Sequence, residues 1–189
     1  KAQQRADSLG LTNINFQQMD MTNMQLPEEH FDIINASFAV FFVEDMESLA
    51  QHVASRLKPG GHFITTHFAS GSMAPMQDLI LERLQLYGID VPEISWAQLD
   101  NEASNRELYE ASGFKHIRHK RNQVGYLFSD ANGWWDVVWW AGYRGFVNQV
   151  PDHLAEQFKQ EHLDEINDLA NEEGIFFNVE VIHTIGEKA

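Results

Sequence analysis

The chain has 189 residues, 43% of them hydrophobic and 22% charged, with no cysteine. That length suits one domain with a sizeable core, and the lack of thiols excludes disulfides, thiolate metal sites and cysteine nucleophiles. A formal net charge of −15 opposes phosphate backbones and anionic membrane surfaces, so neither nucleic acid nor a membrane is an expected partner.

Nine histidines are present, but none stands in a ligand pattern such as HExxH, so no metal is expected. No stretch approaches the roughly 18 consecutive apolar residues of a membrane helix. The polar start Lys1–Arg5 has no apolar leader segment. A cytoplasmic protein is the expectation.

Lys1 to Leu9 is a helix-forming run stopped at Gly10. A chain that opens on Lys1 inside such a run predicts a missing upstream segment. Asn13–Met19 alternates polar and apolar residues, which predicts a strand. Met21–Glu29, broken by Pro27, predicts a loop, and the apolar run Phe31–Ala36 a buried strand of a parallel sheet. Glu44 or Asp45 starts a predicted helix through Leu57, with Leu49, Val53 and Leu57 on one face. Lys58-Pro59-Gly60-Gly61 ends it and turns the chain into a strand over His62–Phe68.

Ala74–Leu86 then reads as a helix, residues 91–94 as irregular, and Asn105–Ser112 as a helix ended by Gly113. Lys115–Phe128 predicts one long strand, and Asn132–Gly145 is rich in aromatic residues. Pro151–Asn171 predicts an amphipathic helix carrying Leu154, Phe158, His162 and Ile166, and Phe176–Ile185 the last strand. Strands alternating with helices, without a repeat or linker, make one α/β doubly wound domain.

The ordered string Asp20-Met21, Leu26-Pro27, Phe31–Phe38 and Leu57-Lys58-Pro59-Gly60-Gly61 resembles the class I S-adenosylmethionine-dependent methyltransferases. Their methyltransferase-11 and ubiquinone-biosynthesis-like branch is the nearest in pattern. The resemblance implies a Rossmann-like, three-layer fold: a mostly parallel sheet with an antiparallel last strand, here lacking the family's first two strands and glycine-rich loop. It implies S-adenosylmethionine as cofactor and methyl transfer to a small-molecule acceptor. Asp20 would accept from the adenine amino group and the Met21 amide would address a ring nitrogen. Ala36, Ser37 and Phe38 would line the methionine part. Residues 129–174 would form a helical lid before the last strand. A strand left without its central neighbours would expose an edge, which predicts self-association.

Further candidates come from position. Phe41 and Phe42 follow a strand end, where α/β sheets bind ligands. They suit a substrate wall and equally a core. His67 ends the next strand on the same side and is a candidate base, although a lone histidine is more often a bystander. Trp135 and Trp139, one helical turn apart, with Arg144 beyond, suit an aromatic wall and an anion clamp on the acceptor, or simply a packed helix.

The rival reading is a non-catalytic remnant that self-associates and binds no cofactor. A dehydrogenase ranks last, since neither GxGxxG nor Tyr-x-x-x-Lys occurs. An arsenic-methylating enzyme is excluded by the lack of cysteine.

Overall fold

The computed structural model describes residues 1–91 and 95–189, so the irregular stretch expected at 91–94 lies, apart from Val91, outside the described residues. The strands are β1 (Phe31–Ser37), β2 (Leu57–Phe68), β3 (Phe114–Gln123), β4 (Tyr126–Phe128), β5 (Ile175–Phe177) and β6 (Glu180–Lys188). The helices are α1 (Ala2–Ser8), α2 (Met46–Arg56), α3 (Met76–Leu86), α4 (Glu102–Ala111), α5 (Asn132–Val137), α6 (Arg144–Val147) and α7 (Ala155–Asn167). A π-turn over Val138–Gly142 joins α5 to α6.

The main sheet has the order β1-β2-β6-β3. β1 and β2 are parallel, and β6 runs antiparallel to both β2 and β3. Three strands thus point one way and the last opposes them, the expected Rossmann-like arrangement. Among the described residues no helix is long and apolar enough to cross a membrane.

Local chemistry starts the helices, α2 where the sequence predicts it and α4 three residues before the expected Asn105. The Asp45 carboxylate accepts from the Ser48 amide at the head of α2, and Asn101 does the same for Ser104 at α4. Leu49, Ala50 and Val53 of α2 then join Leu57, Phe63, Leu108, Tyr109 and Phe114 in one core. The buried Tyr109 hydroxyl reaches Thr65 Oγ1 at 3.1 Å and the Thr184 carbonyl at 3.2 Å, tying α4 to both central strands. A second core gathers α3, α5, α7 and the small β4–β5 sheet, and takes in Val181 of β6.

Three expectations are corrected. Residues 13–19 form no strand: they run exposed and without a ladder, because alternation supplies a strand pattern but no neighbour is there to pair with. β1 correspondingly lies at the sheet edge, with Ile33 59% exposed.

Lys58–Gly61 is a bulge inside β2 and does not form a separate turn, since Phe31 pairs with Leu57 and Ile33 already with His62. Gly60 there has φ +78°, and a Cβ on Gly61 would stand 2.9 Å from the Lys58 carbonyl.

The long strands expected at 115–128 and 176–185 each break in two at one level, giving β3 and β4, β5 and β6. The Gln123 side chain patches the break, accepting from the Gly125 and Val179 amides and donating to Asn178 Oδ1.

Trp134 donates its indole proton to His162 Nε2 at 2.8 Å, both side chains fully buried. The imidazole therefore carries its own proton on Nδ1, 3.4 Å from Glu165 Oε2. Burial pushes the pKa of His162 down to about 4, and does the same to the fully buried His67.

A Cβ on Gly125 would stand 2.1 Å from the Phe177 carbonyl, so Gly125→Ala lowers the unfolding free energy by about 1–3 kcal/mol or more in urea titrations. Gly145→Ala in α6, where a Cβ meets open space, raises it by up to about 1 kcal/mol. The histidines set a pH window. Their folded pKa lies below the ordinary 6.5, so the unfolded chain binds more protons between about 6.5 and 4. Stability is therefore complete above that window. It falls with acid inside it, by about 1.4 kcal/mol per pH unit for each histidine. Replacing His162 with Gln, which keeps an acceptor for Trp134, removes one histidine's share of that slope.

Candidate active site at the carboxyl ends of β1 and β2

Where β1 ends, Phe38 takes a left-handed backbone, φ +52°, and donates its amide proton to the Thr66 carbonyl of β2 at 2.9 Å. An aromatic residue with positive φ is strained by about 1–3 kcal/mol. The reversal lays its ring on Phe68, 4.6 Å between centroids, and Phe68 in turn meets Trp96 edge-on at 5.5 Å. The helical turn Val40–Phe42 follows at once and sets Phe41 against Phe42, ring centroids 4.7 Å apart and planes tilted by 54°.

These rings, with Met73, Leu81, Tyr143 and Phe146, line a partly open cavity of about 620 Å³. Met73 is a second wall residue with positive φ, +68°. Strain thus gathers where a ligand would sit.

The far wall comes from the segment after β4, and its buried residues explain its shape. Ala131, Trp134, Val138, Tyr143, Val147 and Val150 are the buried ones, at steps of three, four, five, four and three. Steps of three and four keep an α-helical face, and the step of five needs one wide turn. The π-turn supplies it, bringing Ala141, Gly142 and Tyr143 to the cavity. The Tyr143 hydroxyl donates to Gln77 Oε1 at 2.8 Å, and burial pushes its pKa up, so the phenol stays neutral.

A second recess of about 680 Å³ lies beside the first. Asp20, Met21 and Thr22 form one side, and Val43–Asp45, Ser48, Leu49 and His52 the other. His52 Nε2 meets the Met24 carbonyl at 3.2 Å, and Met21 and Met24 pack on the first core, which fixes this loop to α2. The Thr22 amide and hydroxyl, 2.8 and 2.7 Å from Asp20 Oδ1, hold that carboxyl below the usual carboxylate range. Both bonds use Oδ1, so Oδ2 keeps its capacity to accept. Phe42, 71% exposed, lines both recesses.

The sequence candidates divide accordingly. Phe38, Phe41 and Phe42 line the aromatic cavity, and Asp20 and Met21 the second recess. Ala36 and Ser37 sit in β1, just before Phe38, with Ser37 Oγ accepting from Asn35 at 3.2 Å. His67 lies behind Phe41, rings 5.8 Å apart, and is not a wall residue.

Trp135, Trp139 and Arg144 are not brought to the cavity either. Trp135 packs on Phe158 and His162 under Lys159, and Arg144 lies over Trp139 at 4.9 Å. The helical spacing that joined the two tryptophans ignores the π-turn, which begins between them. Among the described residues no three His, Asp or Glu side chains gather as a metal site would require.

Sequence reasoning missed Phe68, Met73, Trp96, Tyr143 and Phe146. For Tyr143 a signal existed in the buried spacing.

Comparison with known proteins bears on this geometry. The family described as a methyltransferase domain matches residues 1–132. The ubiquinone/menaquinone biosynthesis C-methyltransferase UbiE of Shewanella woodyi is 27% identical over 95 residues, 50% of this chain and 36% of that protein. The chain thus spans about a third of the length of the curated relatives it matches.

Among solved structures, the YcgJ protein of Bacillus subtilis superposes with a TM-score of 0.59 at 22% identity, covering 99% of this chain and 76% of that one. The [4+2]-cyclase SpnF gives 0.52 at 16% identity, covering 100% and 61%. These likenesses show the fold. With the match over residues 1–132, they place the chain in the class I S-adenosylmethionine-dependent methyltransferase family.

Proposed function

We propose that this chain carries the acceptor side and the adenine side of a methyl-transfer site, with a small molecule as acceptor. The observation that supports this most is the pair of recesses sharing one ring, Phe42, beside the carboxyl ends of two parallel strands. The Asp20 recess fits adenine in chemistry. It offers an ionised acceptor at Asp20, a backbone amide at Met21, and apolar flanks from Val43 and Leu49.

Bound there, the cofactor supplies an electrophilic methyl group on a sulfonium. The chain's own share is positioning and dryness. The aromatic cavity holds the acceptor away from water, and residues 129–174 act as the lid over it. A general base is not required of His67. Its imidazole is neutral, lies behind Phe41 and is a weak base at a pKa of about 4.

Calorimetric titration of S-adenosylhomocysteine into the chain tests the adenine recess. Asp20→Ala weakens binding by roughly tenfold to a hundredfold, the worth of a charge-assisted hydrogen bond. Asp20→Asn, which keeps a carbonyl acceptor and the Thr22 bond, falls between. Unchanged affinity in Asp20→Ala removes the adenine assignment.

The free edge of β1 supports a second part of the proposal, association of the chain with itself through that edge. The net charge of −15 opposes it, so added salt favours association. Sedimentation velocity showing a monomer at every concentration and salt level rejects this part.

A further inference from the structure

A cavity walled by hydrocarbon leaves orientation of its occupant to the few polar atoms it has. We infer that Tyr143, its proton committed to Gln77, reads a hydrogen-bond donor, an O–H or N–H, on the molecule held in the aromatic cavity. This rests on the acceptor reading of that cavity.

The backbone is built to put a phenol there. Four residues after Val138 an unbroken α-helix would bring Gly142 to the buried face, which has no side chain to offer. The π-turn over Val138–Gly142 brings Tyr143 instead. Wide turns of this kind are uncommon and gather at functional sites.

The hydroxyl is then fixed from two sides. It stands 2.8 Å from Gln77 Oε1 and 4.0 Å from Met73 Sδ, and Met73 is itself a wall residue. A phenol that donates to an amide oxygen keeps its own lone pairs for a partner that donates. Apart from Ser95 and the Trp96 indole, the other side chains of the wall offer carbon and sulfur. An apolar pair would fill the space of Tyr143 and Gln77 without the cost of burying polar groups. Recognition gives the pair a purpose that packing does not.

The test uses three ring-sized probes in ligand-observed NMR titrations of the whole chain: naphthalene, 2-naphthol and 2-methoxynaphthalene. The expected result is 2-naphthol bound roughly tenfold more tightly than naphthalene, about the value of one hydrogen bond. Tyr143→Phe keeps the naphthalene affinity, which shows the cavity intact, and loses the preference. Gln77→Leu frees the phenol proton, so 2-methoxynaphthalene, which only accepts, gains on 2-naphthol.

Equal affinities in the native chain, a preference that survives Tyr143→Phe, or no binding of any probe overturns the inference. Should the probes behave as expected while S-adenosylhomocysteine fails to bind, the methyl-transfer reading falls and the role of Tyr143 stands.

Discussion

The site depends on the hydrogen bond from the Phe38 amide to the Thr66 carbonyl. It continues the β1–β2 ladder one residue past the strand while Phe38 has already reversed into the left-handed region. Every later placement follows from that reversal. The ring drops onto Phe68, the turn Val40–Phe42 begins at once, and Phe42 becomes the partition between two recesses. A relaxed, extended Phe38 would carry β1 onward and leave neither recess with its shared wall. The strain is sustained because Val40 and Phe41 are anchored in the core beneath.

The opposite wall is held by polar chemistry. Arg83 of α3 grips Glu161 and Glu165 of α7, and Tyr87 adds its hydroxyl to Glu161. Arg83 is only 15% exposed, while Glu161 and Glu165 keep 35% and 31% of their side chains in contact with water. A planar guanidinium that meets two carboxylates fixes an orientation as well as a distance. Glu165 also faces His162, which holds Trp134, so the clamp extends from α3 through α7 to α5. Because α3 carries Gln77 and α5 leads into the π-turn, the chain of contacts that joins these helices also sets Tyr143. Among the described residues the Asp20 recess has no such clamp. Its loop is held by the His52–Met24 bond and two half-buried methionines, a lighter attachment suited to a part that admits a ligand.

Much of this was legible in the residues because their local chemistry and their place in the fold agree. Asp45 reads as a helix start and caps α2, whereas the cap at Asn101 goes unread and α4 begins before the expected Asn105. Phe158, His162 and Ile166 share a face in the sequence and are buried together in α7. Residues 13–19 read as a strand and are not one, since pairing is a property of two segments and a pattern describes only one. The splitting of both long strands was hidden because Gln123, whose side chain bridges the break, looks like any exposed polar residue of a strand. Trp135 and Trp139 misled for a related reason. The rule of four residues per face holds for an α-helix, and a single five-residue step rotates all that follows.

That step shows where further information lay. Bulky residues along 131–150 attract the eye to the tryptophans, yet the most exposed large ring of the segment is Trp140. Apolar size alone therefore misplaces the buried face. The smaller residues Ala131, Val138, Val147 and Val150 mark it correctly, and they align only if one turn is wide. A segment that gives up regular helical bonding to keep an otherwise unremarkable stripe continuous must gain from what the wide turn delivers. Here it delivers a phenol held by a buried amide, at the one wall that otherwise has almost nothing to say about the orientation of its occupant. The fold supplies a cavity of ring-lined carbon, and the irregularity in the helix supplies its direction.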